Sequence, residues 1–282
     1  HLQQIAREDT PPSTEAMKDA ISSNGQDGTG DKILRSDVTT ELDRFPRVIR
    51  VWLKQFSRTD EEKLNCIPID GFIRPFEFQQ AFKDIHEKTS SSPSGIHYTF
   101  WKFMALDDEI SNYMTVMMRL PFMYGFANNR WAKCLDVMLE KKSGVRQIHQ
   151  LRIIGLVEAD FNTALKIFFA KQMISNSERT SLTEEQWGGR PGRTATDAAM
   201  RKMLAFEYER VLLVTIALFA NDAVACFDRM VPDISALIAM KYGLTHNVMV
   251  SRNLVMSRTE HSVCTKHGDS KKLTAKNRMT LN

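Results

Sequence analysis

The chain lacks the cysteine pairs that would announce a structural zinc site or a disulfide framework. Cys66, Cys134, Cys226 and Cys264 are widely scattered, no CxxC occurs, and the histidines do not cluster. A zinc site is therefore not expected, whereas free, buried thiols in a reducing intracellular compartment are. No apolar run approaches the roughly 20 residues of a membrane span, and the N-terminus lacks the basic-then-apolar layout of a signal peptide. No membrane partner is expected. No internal repeat is present. The chain begins with His1 rather than methionine, as expected of an incomplete or processed product.

What is present is ordinary for a soluble globular protein: 282 residues, 43% hydrophobic and 26% charged, enough for one large domain or two small ones. The net charge of +4 is unevenly spread. Residues 1–130 carry −3, 131–210 carry +3, 211–228 carry −2 and 229–282 carry +6. The basic excess thus falls in the half that holds the candidate site, as a nucleic-acid partner would require.

Composition and periodicity divide the chain. Residues 1–35, rich in Gly, Ser, Thr, Asp and Pro, read as a flexible lead-in with one short helix around Glu15 to Ile21. Residues 36–130 read as a helical region. Apolar spacing predicts a helix over Thr40 to Phe56 that Pro46 bends or splits, another from Pro75 to Lys88, and a methionine-rich one from Asp107 to Phe126 interrupted by Pro121. Core packing is the expected role of those methionines. Across 131–210, WAKCLDVMLEKKSG and HQLRIIGLV read as two strands around a Lys/Ser/Gly turn. Helices follow at Ala159 to Ser175 and Thr194 to Arg210, on either side of the turn GGRPGRT. A strand is expected at 211–221, then helices near Pro232 to Lys241 and Val248 to Ser257, and a frayed basic tail over 261–282.

Three constellations carry chemistry. The run LLVTIALFANDAVACFD, Leu212 to Asp228, brings Asp222 out of the end of an apolar stretch. There a carboxylate can hold Mg²⁺, a cation that takes one or two protein carboxylates and leaves the rest of its shell to phosphates and water. Lys141, Lys142, Ser143 and Gly144, followed by Leu151 and Arg152, place a lysine and an arginine on one hairpin, a point charge and a fork for a triphosphate. The segment from Gln186 to Ala198 combines three glycines with Arg190 and Arg193, which suits a phosphate backbone. Capped turns and a solvated hairpin tip account for each feature taken singly. His97 and His149 read as hydrogen-bonded fillers, and Cys226 as a packed side chain.

Taken in order, these segments resemble the reverse transcriptase domain of non-long-terminal-repeat retroelements and, more distantly, group II intron polymerases. The resemblance covers roughly residues 88 to 245. QWGGRPGRTATDA is similar to the family's Q-x-G-F-R-P-G-R-S-x-x-D-A, and DAVACFD to its D-x-x-x-A-F-D. EKKSG with LRIIGL resembles the lysine and R-P-I-S-L segment of the fingers. The resemblance implies that Asp222 is the first catalytic metal-binding carboxylate, with the Ala223 carbonyl as a further ligand, and that Phe227 is the gate beneath the sugar. It implies that Lys141 or Lys142 and Arg152 contact the incoming triphosphate, and that Gln186, Gly188 and Arg190 shape the fingers near the template. Gly189 stands where the family has phenylalanine, Ile153 replaces a proline, and no YxDD sequence occurs.

The expected fold is therefore α+β, mostly helical, a partial right-hand polymerase fold of fingers plus the first palm strand, with 131–210 the fingers-like region and 211–260 the start of the palm. The expected function is that of an RNA-directed DNA polymerase fragment working on an RNA template, a DNA primer and dNTP with two Mg²⁺ ions when complete, and inactive as this chain alone. The alternative is a non-catalytic helical protein that binds RNA or a partner through the fingers fold. A metal-dependent transferase of another fold leaves the Gly/Arg loop unexplained.

Overall fold

Hydrophobic burial begins earlier in the chain than its polar composition suggests. The computed structural model describes residues 29–37, 42–43, 45–83, 85–86, 92–144, 147, 150–215, 217, 232–265, 268–270 and 273–274. Helix α1 (Thr29–Arg35) buries Ile33 and Leu34 against Leu42, Phe45 and Leu53. Residues 29–35 thus belong to the folded body, a correction to the lead-in expected over 1–35. The helix expected around Glu15 to Ile21 lies outside the described residues.

Local chemistry sets the next boundaries. Pro46 precedes α2 (Arg47–Lys54); lacking an N–H, it starts the helix rather than bending it. Helix α3 (Asp60–Asn65) is opened by a capping box in which Thr59 and Glu62 satisfy each other's backbone N–H. Helix α4 (Pro75–Lys83) has the predicted proline start, and α5 (Tyr98–Met104) follows. Helix α6 (Asp108–Tyr124) is capped by the Asp107 carboxylate, which accepts from Ile110 N–H at 2.9 Å, and is ended by Gly125 at φ 69°. It buries Ser111, Thr115, Met118 and Phe122, one stripe at helical spacing. Met118 is core, but Met117 is half exposed, so the methionines of this helix divide between core and surface.

Beyond a short 3₁₀ turn (Asn129–Trp131), strands β1 (Lys133–Glu140) and β2 (Leu151–Leu156) pair antiparallel, with Asp136 opposite Gly155 and Leu139 opposite Arg152. Helix α7 (Ala159–Leu165) runs on through a π-helical segment (Lys166–Met173) into α8 (Ile174–Thr180). Helix α9 (Ala195–Val211) has the predicted Thr194 start, with Asp197 completing a capping box. Helices α10 (Pro232–Lys241) and α11 (His246–Arg258) lead into β3 (Glu260–Thr265), which lies parallel to β1, and the short β4 (Gly268–Asp269) and β5 (Leu273–Thr274) pair with β3.

The molecule is therefore mixed α and β and mostly helical, with the sheet order β2-β1-β3-β4 and β5 joined to β3. Its third long strand is not the one expected at 211–221. Residue 211 is still helical, and Leu213 at φ 55° closes the helix: Leu213 N–H bonds to the Arg210 carbonyl and Val214 N–H to that of Glu209. Residues 216 and 218–221 of that run lie outside the described residues. Residues 261–265, expected within a frayed tail, instead form the body of β3.

The main core is aromatic. Phe122 stacks on Trp131 at 5.3 Å between ring centres and meets Phe168 edge-on at 4.9 Å. A second cluster joins α1, Leu42, Phe45 and Leu53 to Ile234 and Leu237 of α10. Met240 borders both clusters, so α10 links the N-terminal helices to the rest.

Candidate functional site

Opposite residues of paired strands share a face, as do alternate residues of one strand. One face of the β1–β2 hairpin therefore carries Leu135, Val137 and Leu139 beside Arg152, Ile154 and Leu156. Toward the tip this face opens to solvent: Leu139 is 44% and Ile154 39% exposed. Arg152 is exposed on the same strip, and the chain then turns through exposed Lys141 and Lys142. Gly144, at φ 84°, donates its N–H to the Glu140 carboxylate at 2.9 Å. Among the described residues, no carboxylate forms an ion pair with Lys141, Lys142 or Arg152. An exposed guanidinium with two ammonium groups close in the chain can hold a polyphosphate, and the apolar strip beside it can support a base or sugar.

The arginines of the Gly/Arg loop are placed differently. Arg190 is buried, and its Nε donates to Glu178 Oε1 at 2.6 Å while Nη2 donates to Oε2. Its Nη1 donates to the carbonyls of Thr183 at 2.7 Å and Gln186 at 3.2 Å. Arg193 pairs with Glu184 and lies 5.0 Å above the Trp187 ring. Both guanidinium groups thus fold the loop onto itself, and the phosphate-backbone role expected of them is not what their contacts express. Gln186 donates from Nε2 to the Gly188 carbonyl at 3.0 Å, so Gln186, Gly188 and Arg190 are brought together as a closed turn. Gly189 has φ 76°, a conformation that would strain a phenylalanine.

The Arg190 hydrogen bond holds the Glu178 carboxyl below the ordinary carboxylate range, and Glu178 in turn holds Arg190 above its own. A carboxyl depressed in the folded state contributes stability that is complete above its unfolded value, about 4.3, and is lost as pH falls through the folded value. Glu178→Gln should therefore lower the urea midpoint at pH 7, and its difference from the unaltered protein should shrink below about pH 4. A difference that stays constant from pH 7 to pH 3 would contradict this assignment.

Asp222, Ala223 and Phe227, the expected metal-binding and gating residues, lie outside the described residues, as do His149 and Cys226. His97 stands at the N-cap of α5.

Two buried groups were not legible in the sequence. The first is a network at the start of α7. Arg130 Nη1 donates to Glu158 Oε2 at 2.6 Å and Nη2 to Asp160, while Trp131 Nε1 donates to Asp160 at 2.9 Å. Glu158 also accepts from Ser94 N–H at 2.9 Å and Ser94 Oγ at 2.8 Å, which fixes the segment that precedes α5 to the helix start. Burial alone would lower the Arg130 value, but Asp160 and then Glu158 outweigh it and hold the guanidinium charged. The helix N-terminus favours both carboxylates.

The second is a cluster on the other face of the sheet. Cys134 and Asp136 alternate along β1, and His261 of β3 pairs with Cys134, so all three side chains share one buried face. His261 Nδ1 lies 3.0 and 3.2 Å from the two Asp136 oxygens, and Cys134 Sγ lies 3.5 Å from Oδ1. Burial and then the Asp136 charge push the Cys134 thiol far above its ordinary value, so it is not a nucleophile as it stands. A strand residue paired with a partner 125 positions away gives no spacing signal. No protein-family model matches the chain, and no curated protein matches it.

Proposed function

We propose that the chain is a reverse-transcriptase-like region of a retroelement polymerase that binds nucleoside triphosphate and template through the β1–β2 hairpin. The observation that carries this reading is the trio of Lys141, Lys142 and Arg152, exposed on one hairpin with no ion pair among the described residues. In this reading Arg152 forks onto the triphosphate and the lysines neutralise the remaining charge, while Arg190 with Gln186 and Gly188 keeps the neighbouring loop closed. Asp222, the Ala223 carbonyl and Phe227 would supply the first Mg²⁺ site and the sugar gate, and these roles rest on the motif DAVACFD alone. Two-metal transfer needs further carboxylates, and no YxDD sequence lies within the 282 residues.

The test is binding and extension together. The chain should bind an RNA-template, DNA-primer duplex with affinity that falls as salt rises. Changing Lys141, Lys142 and Arg152 together to alanine should weaken nucleoside triphosphate binding to that complex by at least about 10-fold, through loss of charge-assisted contacts to its phosphates. Primer extension with Mg²⁺ should be absent. Unchanged nucleotide affinity in the triple variant would overturn the hairpin assignment, and extension that disappears with Asp222→Ala would overturn the expected inactivity.

One observation favours the second reading, a non-catalytic protein that binds a partner. Helix α9 buries none of its residues, and Met200, Met203, Leu204, Tyr208 and Val211 recur along it at helical spacing, each at least 60% exposed. An apolar stripe of this kind marks an interaction surface in a folded protein.

A further inference from the structure

We propose that Cys134, Asp136 and His261 form a zinc-binding site that joins β1 to β3. The inference does not depend on the polymerase reading, and the cation differs from the Mg²⁺ implied there. Three donor atoms, one from each side chain, all lie within 4.8 Å of one another, and all three groups are buried. They come from neighbouring parallel strands in fixed register, so backbone pairing rather than chance side-chain rotation brings them together.

Strand β2 leaves the cluster its space. Gly155 stands opposite Asp136, and a Cβ placed there would lie 3.0 Å from Cys134 Sγ and 3.6 Å from Asp136 Oδ1. Any other residue would therefore press on the Cys134 sulfur and touch the Asp136 carboxylate.

Donor chemistry selects the ion. Thiolate, imidazole and carboxylate together suit Zn²⁺, whereas Mg²⁺ and Ca²⁺ take oxygen ligands and do not favour sulfur. A thiolate and a carboxylate carry two negative charges, which a divalent cation cancels, so the loaded site holds no net charge in a buried position. On binding, the Cys134 S–H bond breaks, its proton leaves to bulk water, and the sulfur electron pair passes to the metal. Three protein ligands leave the fourth tetrahedral position to water.

The experiment is metal titration of the whole chain after chelator treatment. One Zn²⁺ should bind per chain, and Co²⁺ in its place should give a thiolate-to-cobalt charge-transfer band and the intense visible bands of tetrahedral geometry. Cys134→Ser should abolish the charge-transfer band and weaken binding by more than about 100-fold, beyond what loss of a supporting contact produces. Cys264→Ser, on the opposite face of β3, should leave band and affinity intact. Should Cys134→Ser fail to fold, X-ray absorption of the zinc-loaded unaltered protein decides instead: one sulfur and two or three nitrogen or oxygen scatterers are expected. No retained zinc, a shell without sulfur, or a band that survives Cys134→Ser would overturn the proposal.

Discussion

Replacing Arg130 with methionine should cost about 3–5 kcal/mol of stability, the penalty for removing one partner of a buried ion pair. Two carboxylates depend on that guanidinium. Glu158 is fully buried and Asp160 nearly so, and both are bonded to Arg130. Ser94 and Trp131 donors and the start of α7 would remain, yet none of them carries a full charge. Methionine keeps most of the apolar stem of the side chain, so the change reports mainly the electrostatic loss. Because the network is largely shielded from solvent, added salt should not restore the variant. Arg130→Lys should recover part of the loss, since an ammonium brings the charge but not the fork that reaches both carboxylates. Urea unfolding at pH 7, with and without added salt, measures all three effects. A loss below about 1 kcal/mol at pH 7, the size expected of a surface pair, would show that Arg130 is not what balances the two acids.

Sequence reasoning located what local chemistry decides. Asp107 and Thr194 mark helix starts through caps that need no tertiary contact, and the structure places α6 and α9 accordingly. Alternation along WAKCLDVMLE and LRIIGL sufficed for β1 and β2 because their hairpin is local. The third strand was not legible, since EHSVCT carries no turn signal that ties it to a partner and its neighbour β1 lies far upstream. The start of the strand expected at 211–221 misled for a different reason: its branched residues favour strand, but the helix begun at Thr194 carries through to Val211 and is then stopped by two backbone hydrogen bonds. The candidate site divides in the same way. Residue type identified Lys141, Lys142 and Arg152 as cations on one hairpin, whereas it could not tell that Arg190 and Arg193 are committed to Glu178 and Glu184. An arginine reads the same in a sequence whether its partner is a phosphate or a carboxylate twelve residues earlier. The absence of CxxC excluded zinc on sequence grounds, yet sheet register gathers Cys134, Asp136 and His261 without any such motif.

Gly243→Ala should be the most damaging single-methyl change in the molecule, costing about 3–4 kcal/mol from backbone strain and overpacking together. Gly243 has φ 102°, outside the range an alanine adopts readily, and an added Cβ would lie 2.6 Å from both the Ile67 carbonyl oxygen and Asn176 Nδ2. The crowding has a cause. Asn176 is buried and donates to the carbonyls of Ile67 at 2.7 Å and Tyr242 at 2.8 Å, while accepting from Ile67 N–H at 3.1 Å and Arg179 at 2.8 Å. One side chain thereby ties three segments: the stretch after α3, helix α8 and the turn between α10 and α11. Beside it, Ile69 N–H donates to the Gly243 carbonyl at 2.7 Å and Thr245 N–H to that of Ile69 at 3.0 Å. Asn176→Ala should itself cost about 2–4 kcal/mol, because it leaves buried backbone groups without partners. The two changes act on one junction, so their costs should not add. Removing the Asn176 amide relieves one of the two closest contacts of the new methyl, and the double variant should lie at least 1 kcal/mol above the sum of the singles, within the usual range for touching residues. Urea midpoints of the three variants complete that cycle. Strict additivity would mean that Gly243 is required by its backbone angle and the Ile67 carbonyl alone, with Asn176 a bystander.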